Sequence, residues 1–305
     1  MSSLTAQRRG FRRAKGDLAF DIIIYMILGL CTIIVIYPLY LIVIASVSEP
    51  YAVLRGEVML YPRDIDFIGY QKLLANGPIW VAYRNTVIYT TVGTVLNLTL
   101  TMMAGYALTR KFYGKKGMNF YFIFVMIFNA GLIPTFLQVR DLGLYNSPFI
   151  MVIMGAISVW NVMIARSFIK NSIPEELYEA SAIDGCSHFN YFFRSILPLS
   201  KAIIGVLAVF YAVGHWNNFM TGLIYLRSRS YFPFQVILRE LLTVLKANAS
   251  MEALVDMVSN SAEAMRVAEV IKYCAIVVST VPVLVLYICL QKYFVKGVMI
   301  GSIKG

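Results

Sequence analysis

The sequence predicts an all-α integral membrane protein, and three observations support this fold class. Hydrophobic residues make up 59% of the 305 residues, whereas charged residues make up only 14%. The mean hydropathy is +0.70, and the apolar residues are gathered in long runs. A soluble globular chain is about one quarter charged. The composition therefore excludes a soluble enzyme, a disordered protein and a secreted scaffold.

Six apolar runs are long enough to cross a bilayer, which takes roughly 20 mostly apolar residues in a helix. The predicted spans are 22–48, 86–108, 118–139, 148–165, 203–226 and 267–291. The first run is longer than the apolar part of a signal peptide, which has about 7–15 residues, and no convincing cleavage site follows it. We therefore interpret it as an uncleaved membrane span.

The positions of lysine and arginine predict that both termini are cytoplasmic, because short cytoplasmic segments are enriched in these residues. The connection between the third and fourth spans contains a single basic residue, Arg140, which is consistent with an outer loop. The predicted inner segments contain the basic clusters: Arg8, Arg9, Arg12, Arg13 and Lys15 in the N-terminal tail, and Arg110, Lys111, Lys115 and Lys116 between the second and third spans. The net charge of +11 thus reflects topology, and we predict no nucleic-acid partner.

The predicted spans contain almost no ionisable residues apart from His215, Glu269 and Lys272. An ion-coupled transporter is expected to place a carboxylate near the middle of the membrane, and none is visible. The chain also lacks a GxxxxGK[ST] phosphate-binding loop, so it does not bind ATP in that way. We predict no catalytic residue and no metal site, and we interpret His215 as a hydrogen-bonded interior residue. The energy for any pumping must then come from a partner.

The predicted inner loop at 167–201 begins with an acidic helix. Ser172 and Glu175 have the spacing of a capping box, and acidic residues in the first turn favour the helix dipole. The helix is expected to stop near Gly185, because glycine readily adopts the left-handed conformation that ends a helix. Helices that lie on a membrane surface usually carry a basic polar face. The acidic helix, to which Glu179 and Asp184 add charge, therefore favours a protein partner over lipid.

A second helix is predicted after Gly185. It ends near Pro198, and its apolar stripe consists of Phe189, Phe192, Phe193 and Ile196. A further amphipathic helix is predicted in the last outer loop, where Val236, Ile237, Leu241, Leu242 and Leu245 recur at helical spacing.

These loop residues resemble the EAA loop of permease subunits of ATP-binding-cassette (ABC) importers. Ser181 replaces the usual alanine, and Ser195 stands where isoleucine is usual. The positions that correspond to the EAA loop, with Ser181 as a departure among them, are Glu179, Ala180, Ser181, Asp184, Gly185, Leu197 and Pro198.

Almost the whole chain after the basic tail is similar to carbohydrate-importer permeases of the maltose-permease class, and most of all to the subgroup that handles complex oligosaccharides. The segments that carry this resemblance are Arg84-Asn85-Thr86, Gly214-His215-Trp216-Asn217 and Ser302-Ile303-Lys304-Gly305.

The resemblance implies a type I ABC-importer permease fold with a cytoplasmic coupling helix, in the bacterial cytoplasmic membrane. It implies a second, usually different, permease subunit, two ATPase subunits and an extracytoplasmic binding protein that delivers a sugar. The EAA loop would dock on an ATPase, which binds ATP and magnesium, while this chain binds no cofactor. The implied regions are a basic tail (1–21), a first helix with its outer loop (22–85), a permease core (86–293) and a C-terminal tail (294–305).

Two aromatic–amide pairs are candidates for the substrate path, Trp216–Asn217 and Trp160–Asn161. Sugars offer hydroxyls to amides and apolar faces to aromatic rings. One alternative is that the polar residues form hydrogen bonds between packed helices. Another is that the tryptophans anchor the protein at the membrane interface. For the whole chain, the alternatives are a permease for a different solute, an ion-coupled transporter and a structural membrane subunit.

The predicted topology can be tested through cysteine chemistry, because Cys186 falls in the inner loop while Cys31, Cys274 and Cys289 fall in spans. A variant that retains only Cys186 is expected to react with a membrane-impermeant maleimide in inside-out vesicles and not in intact cells. Rapid labelling of intact cells would reverse the predicted orientation.

Overall fold

The computed structural model describes residues 15–75, 77–128, 130–241, 243 and 259–301. Most of these residues are helical, and an isolated antiparallel bridge joins Ser48 to Ile65. The helices are α1 (Lys15–Ser46), α2 (Pro50–Leu54), α3 (Ile68–Leu74), α4 (Gly77–Thr109), α5 (Lys115–Ile127), α6 (Leu132–Asp141), α7 (Ile150–Ile153), α8 (Val159–Ser172), α9 (Glu175–Ile183), α10 (His188–Tyr191), α11 (Leu197–Leu199), α12 (Lys201–Trp216), α13 (Phe219–Tyr225), α14 (234–241) and α15 (Ser259–Gly301). A π-helical turn, Phe192–Ile196, joins α10 to α11.

Three helices in the described part of the chain are by themselves long and apolar enough to cross a membrane. They are Phe20–Ser46 within α1, Gly77–Thr109, which is α4, and Glu269–Cys289 within α15. These helices coincide with the first, second and sixth predicted spans. The continuation of α15 to Gly301 carries helix into the region expected to be a C-terminal tail.

The other three predicted spans are interrupted rather than straight. Helices α5 and α6 meet at 116°, beside Gly131 with a φ of 82°. The fourth predicted span is divided into α7 and α8 around Gly155, whose φ is 74°. In the fifth, α12 ends at Trp216, and the side chain of Asn218 accepts a hydrogen bond from the Thr221 amide to begin α13. The six-span topology therefore remains a prediction, since three to five spans satisfy length and composition.

Helix α4 passes through both apolar clusters of the bundle. One cluster includes Ile79, Ala82 and Tyr89 of α4, packed with residues of α14 and α15. The other includes Met102 and Tyr106 of α4, packed with α8, α10 and α12. A 33-residue helix is about 50 Å long at 1.5 Å per residue, so α4 connects the two ends of the molecule.

At one end of α4, polar side chains hold the segment that precedes α14. The Asn85 Nδ2 atom donates to the carbonyls of Ser230 at 2.7 Å and Phe232 at 3.2 Å. The Phe234 amide donates to Thr86 Oγ1 at 2.7 Å, and the Tyr89 hydroxyl donates to a carbonyl of the same segment. These bonds give a structural role to Asn85 and Thr86 in the Arg84-Asn85-Thr86 sequence.

Helix α14 confirms the helix predicted in the last outer loop. Val236 and Ile237 on this helix are buried, and Leu241 packs partly buried against the same cluster. The predicted positions Leu242 and Leu245 lie outside the described residues.

In its middle, α4 forms a polar contact with α12. Asn97 Nδ2 lies 3.2 Å from His215 Nε2, and the Thr101 and Tyr211 hydroxyls are 2.6 Å apart. The buried His215 is therefore hydrogen-bonded inside the bundle, as predicted. Gly93 allows the histidine ring to approach, because a Cβ atom at this position would lie 2.5 Å from His215 Nε2.

Helix α15 connects distant parts of the chain. The Cys274 thiol donates to the Ser46 carbonyl at 3.3 Å, and the Ser46 hydroxyl lies 2.8 Å from that of Tyr70 in α3. Nearby, Lys272 forms an ion pair with Glu269, so the charges near the end of the sixth predicted span neutralise each other.

The substitution Gly93→Ala is expected to destabilise the bundle by about 1–3 kcal/mol, because overpacking forces His215 to move away from Asn97. The matched control is Gly214→Ala on α12, where an added Cβ meets no atom within 4 Å. Thermal unfolding of the purified protein should give a lower Tm for Gly93→Ala only. Equal Tm values for the two variants would contradict a close contact at Gly93.

Candidate functional site

The candidate site is the inner loop (167–201), and its first helix does not begin as the sequence predicts. The N-cap of α9 is Pro174, which has no side-chain hydrogen bond to cap the helix. Ser172 is still the last residue of α8, and the carboxylate of Glu175 pairs with Arg110. The predicted capping box is therefore wrong, because Ser172 belongs to α8 and Glu175 pairs with Arg110.

The end of α9 matches the prediction. The helix stops at Ile183, and Gly185 has a φ of 71°. The Cys186 amide donates to the Ser181 carbonyl at 2.9 Å to close the turn. Ser187 then caps the next helix by accepting a hydrogen bond from the Asn190 amide. Capping at Ser187 and the left-handed glycine together define the angle between α9 and α10.

The predicted apolar stripe of the second helix divides into two parts. Phe192 and Ile196 are buried in the cluster formed with α4, α8 and α12, whereas Phe189 and Phe193 are exposed. The exposed rings pack on each other with centroids 4.7 Å apart. The helix ends at Leu199, one residue past Pro198, and α12 then departs at 83°.

Most of the EAA-like residues lie on the exposed side of the inner loop. Glu179, Ala180, Asp184, Gly185 and Pro198 are exposed, and Ser181 is half-buried with its hydroxyl donating to the Leu177 carbonyl. Leu197 is half-buried and packs against the apolar cluster below. Exposed apolar side chains accompany these residues, namely Leu177, Ile183 (87% exposed), Phe189 and Phe193. An acidic surface with this apolar content is typical of a protein interface.

Arg110, at the end of α4, lies at the centre of the contacts between the inner loop and the rest of the protein. Its side chain is only 12% exposed, and its guanidinium group is 2.9 Å from Glu175 Oε1. The guanidinium carbon lies 4.2 Å from the ring centroid of Tyr178, 5.2 Å from that of Tyr106 and 5.9 Å from that of Tyr191. A buried cation is thus compensated by one carboxylate and three aromatic faces.

His188 connects the same rings. Its Nδ1 lies 3.0 Å from the Tyr106 hydroxyl and its Nε2 lies 3.2 Å from the Tyr178 hydroxyl. The imidazole also stacks on the Tyr178 ring with centroids 5.3 Å apart. We call Arg110, Tyr106, Glu175, Tyr178, His188 and Tyr191 the Arg110 cluster.

In the sequence Arg110 is recognisable only as one of the charges that predict topology, and its partners in the cluster are not. Glu175 follows it by 65 residues, so no local pattern reveals the pair. Two local patterns indicate part of the cluster in the sequence. Tyr106 lies one helical turn before Arg110, and Glu175 and Tyr178 have the spacing that places them on one face of α9.

The two candidate pairs for the substrate path have opposite exposures. Trp216 is 6% exposed, and its Nε1 donates to the Ser279 carbonyl at 2.9 Å. Asn217 is exposed at the end of α12. In α8, Trp160 is 65% exposed while Asn161 is buried. Each pair therefore contributes one residue to packing and one to an accessible surface.

Comparisons with known proteins give consistent results. The family model described as "Binding-protein-dependent transport system inner membrane component" matches residues 97–300. The chain is 34% identical to the polygalacturonan/rhamnogalacturonan transport system permease protein YtcP of Bacillus subtilis (strain 168), over 94% of this chain and 98% of that relative. It is 32% identical to protein LplC of the same organism, over 98% of this chain and 100% of the relative.

A solved structure is also similar over most of its length. It is the crystal structure of a bacterial ABC transporter involved in the import of the acidic polysaccharide alginate. The similar chain has a TM-score of 0.82 and 30% sequence identity, and the match covers 92% of this chain and 99% of that one.

The turn between α9 and α10 generates a prediction about Gly185. No atom lies within 4 Å of a Cβ placed there, so a substitution acts through backbone strain alone. A β-branched residue with positive φ costs about 1–2 kcal/mol, whereas asparagine tolerates this conformation. We expect Gly185→Val to open the turn and Gly185→Asn to preserve it.

Limited proteolysis of inside-out vesicles measures this difference. Cleavage near the turn should be about five- to thirtyfold faster in Gly185→Val than in Gly185→Asn, which is the range that this energy corresponds to. Equal cleavage rates would show that the left-handed residue does not hold the turn.

Proposed function

The chain belongs to the family of binding-protein-dependent transport system inner membrane components, and on this premise we propose that it forms part of the translocation path of an ATP-driven importer of oligosaccharides. The family match over residues 97–300 carries this proposal, because that range includes the inner loop and the bundle that supports it. The similar alginate-importer chain supports the same assignment. The chain is a permease component, and ATP hydrolysis takes place on a partner ATPase.

The proposed substrate class is an oligosaccharide that contains uronic acids. Support comes from the relative named for the transport of polygalacturonan and rhamnogalacturonan and from the structure of an importer of alginate, which is an acidic polysaccharide. An extracytoplasmic binding protein delivers the substrate, and a second permease subunit completes the path.

The inner loop is the proposed contact with the ATPase, on the cytoplasmic side. The exposure of Glu179, Asp184 and the neighbouring apolar side chains supports this assignment. Ala180, Ser181 and Gly185 shape the helix and its turn, Leu197 anchors the second helix on the apolar cluster, and Pro198 lies next to the end of that helix. Charged and apolar groups side by side suit a partner groove that contains a basic residue.

The proposed substrate path includes the exposed members of the two aromatic–amide pairs, Trp160 and Asn217. Of the buried members, Trp216 holds the end of α12 from which Asn217 projects, and Asn161 lies buried in the first turn of α8. The hydrogen bond from Trp216 to the Ser279 carbonyl supports this division, since it connects α12 to α15.

Uptake into proteoliposomes tests the proposal. The complex would contain this chain, a partner permease, the ATPase and the binding protein. We expect ATP-dependent uptake of a uronate oligosaccharide and weaker uptake of a neutral oligosaccharide of equal length. Equal uptake would overturn the acidic substrate class, and the absence of ATP-dependent uptake of either sugar would overturn the proposed function.

The substitution Glu179→Lys tests the contact with the ATPase in the same system. Replacing attraction by repulsion at a partly desolvated charge is expected to cost about 2–5 kcal/mol of docking free energy. Co-purification of the ATPase should fall, with an intermediate loss in Glu179→Gln, which removes the charge but keeps the shape. Full docking and transport in Glu179→Lys would exclude Glu179 from the interface.

A further inference from the structure

Helix α9 is attached to the membrane part of the protein by a few side chains rather than by a buried apolar face. All nine residues of α9 are described, and none of them is buried. A helix of this length has little stability of its own in water. The contacts of Glu175 and Tyr178 with Arg110, and of Tyr178 with His188, therefore fix the orientation of α9.

Arg110 follows directly after Thr109, the last residue of α4, so a displacement of α9 is passed to this helix. The far end of α4 holds the segment before α14 through Asn85 and Thr86. Between these ends, Asn97 and Thr101 bond to α12. A single helix thus joins the inner loop to the opposite end of the bundle.

We infer that Arg110 is a positioning residue for transport, which transmits the movement of α9 to α4 through its contacts with Glu175 and Tyr178. This inference rests on the proposed function, because it requires an ATPase that displaces α9. It assigns a role to a residue outside the EAA-like sequence. The Arg110 cluster then connects α9, the proposed coupling helix, to the translocation path.

The chemistry of the cluster requires arginine rather than any cation. A guanidinium group is planar, stacks on aromatic rings and at the same time donates to a carboxylate, whereas an ammonium group is a compact point charge. Arg110 uses both properties, since it lies over Tyr178 and bonds to Glu175. Arg110→Lys therefore preserves the charge but removes the stacked, directional contact.

Two polar atoms in the cluster are left without a hydrogen-bond partner among the described residues. They are Arg110 Nε and the Tyr191 hydroxyl, and both are buried. A buried polar group without a partner is costly, so the contacts of the cluster satisfy the Arg110 guanidinium only in part.

The experiment uses the complete complex in proteoliposomes and compares Arg110→Lys, Tyr178→Leu and the double variant. The matched control is Lys111→Gln, which changes an exposed charge at the next position. ATPase co-purification, basal ATP hydrolysis and sugar transported per ATP are measured for each complex. We expect both single variants to retain the ATPase and basal hydrolysis, while sugar transported per ATP falls about fivefold or more.

The control should transport like wild type. The double variant should transport no less sugar per ATP than the more impaired of the two single variants, because both changes break the same contact. Normal transport per ATP in Arg110→Lys, or multiplied losses in the double variant, would overturn the inference. If Arg110→Lys does not assemble, Tyr178→Leu decides, and wild-type coupling in that variant would overturn it. Failure of the wild-type complex to transport would instead contradict the proposed function.

Discussion

The polar and small-residue face of α4 is the constraint on which the rest of the structure depends. Inside a bilayer the hydrophobic effect does not drive helices together, so close packing and hydrogen bonds set their arrangement. Gly93 admits the ring of His215, and Asn97 bonds to it. Asn85 and Thr86 fix an irregular segment whose backbone groups would otherwise lack partners. A purely apolar α4 would specify none of these neighbours.

The two ends of α4 differ in the kind of contact that they make. One end binds backbone groups of a neighbouring segment, which gives a connection with one geometry. At the other end Arg110 binds side chains of α9 and α10, and a side chain changes its position more easily than a backbone group does. The two ends of α4 therefore differ in how firmly they hold their neighbours.

The sequence predicted the continuous helices well and the broken ones poorly. Apolar runs identify α1, α4 and α15 because mean hydropathy and length are sufficient for straight spans. Apolar runs do not indicate where a helix is broken, because the breaks at Gly131 and Gly155 depend on the backbone conformation of these residues. In the inner loop, Gly185 was predicted because its conformational preference is local. The capping box failed because Ser172 completes α8, and Arg110 was missed because its partners are distant in the sequence.

The contact between α1 and α15 has a consequence for biogenesis. The bond from Cys274 to the Ser46 carbonyl joins residues 228 positions apart, and few side chains in the apolar part of α1 are buried. During synthesis α1 is made before α15, so its docking site does not yet exist when α1 enters the membrane. The nascent helix therefore stays in contact with lipid until α15 has been made. A product truncated before α15 would therefore leave the side of α1 that packs on α15 exposed to lipid.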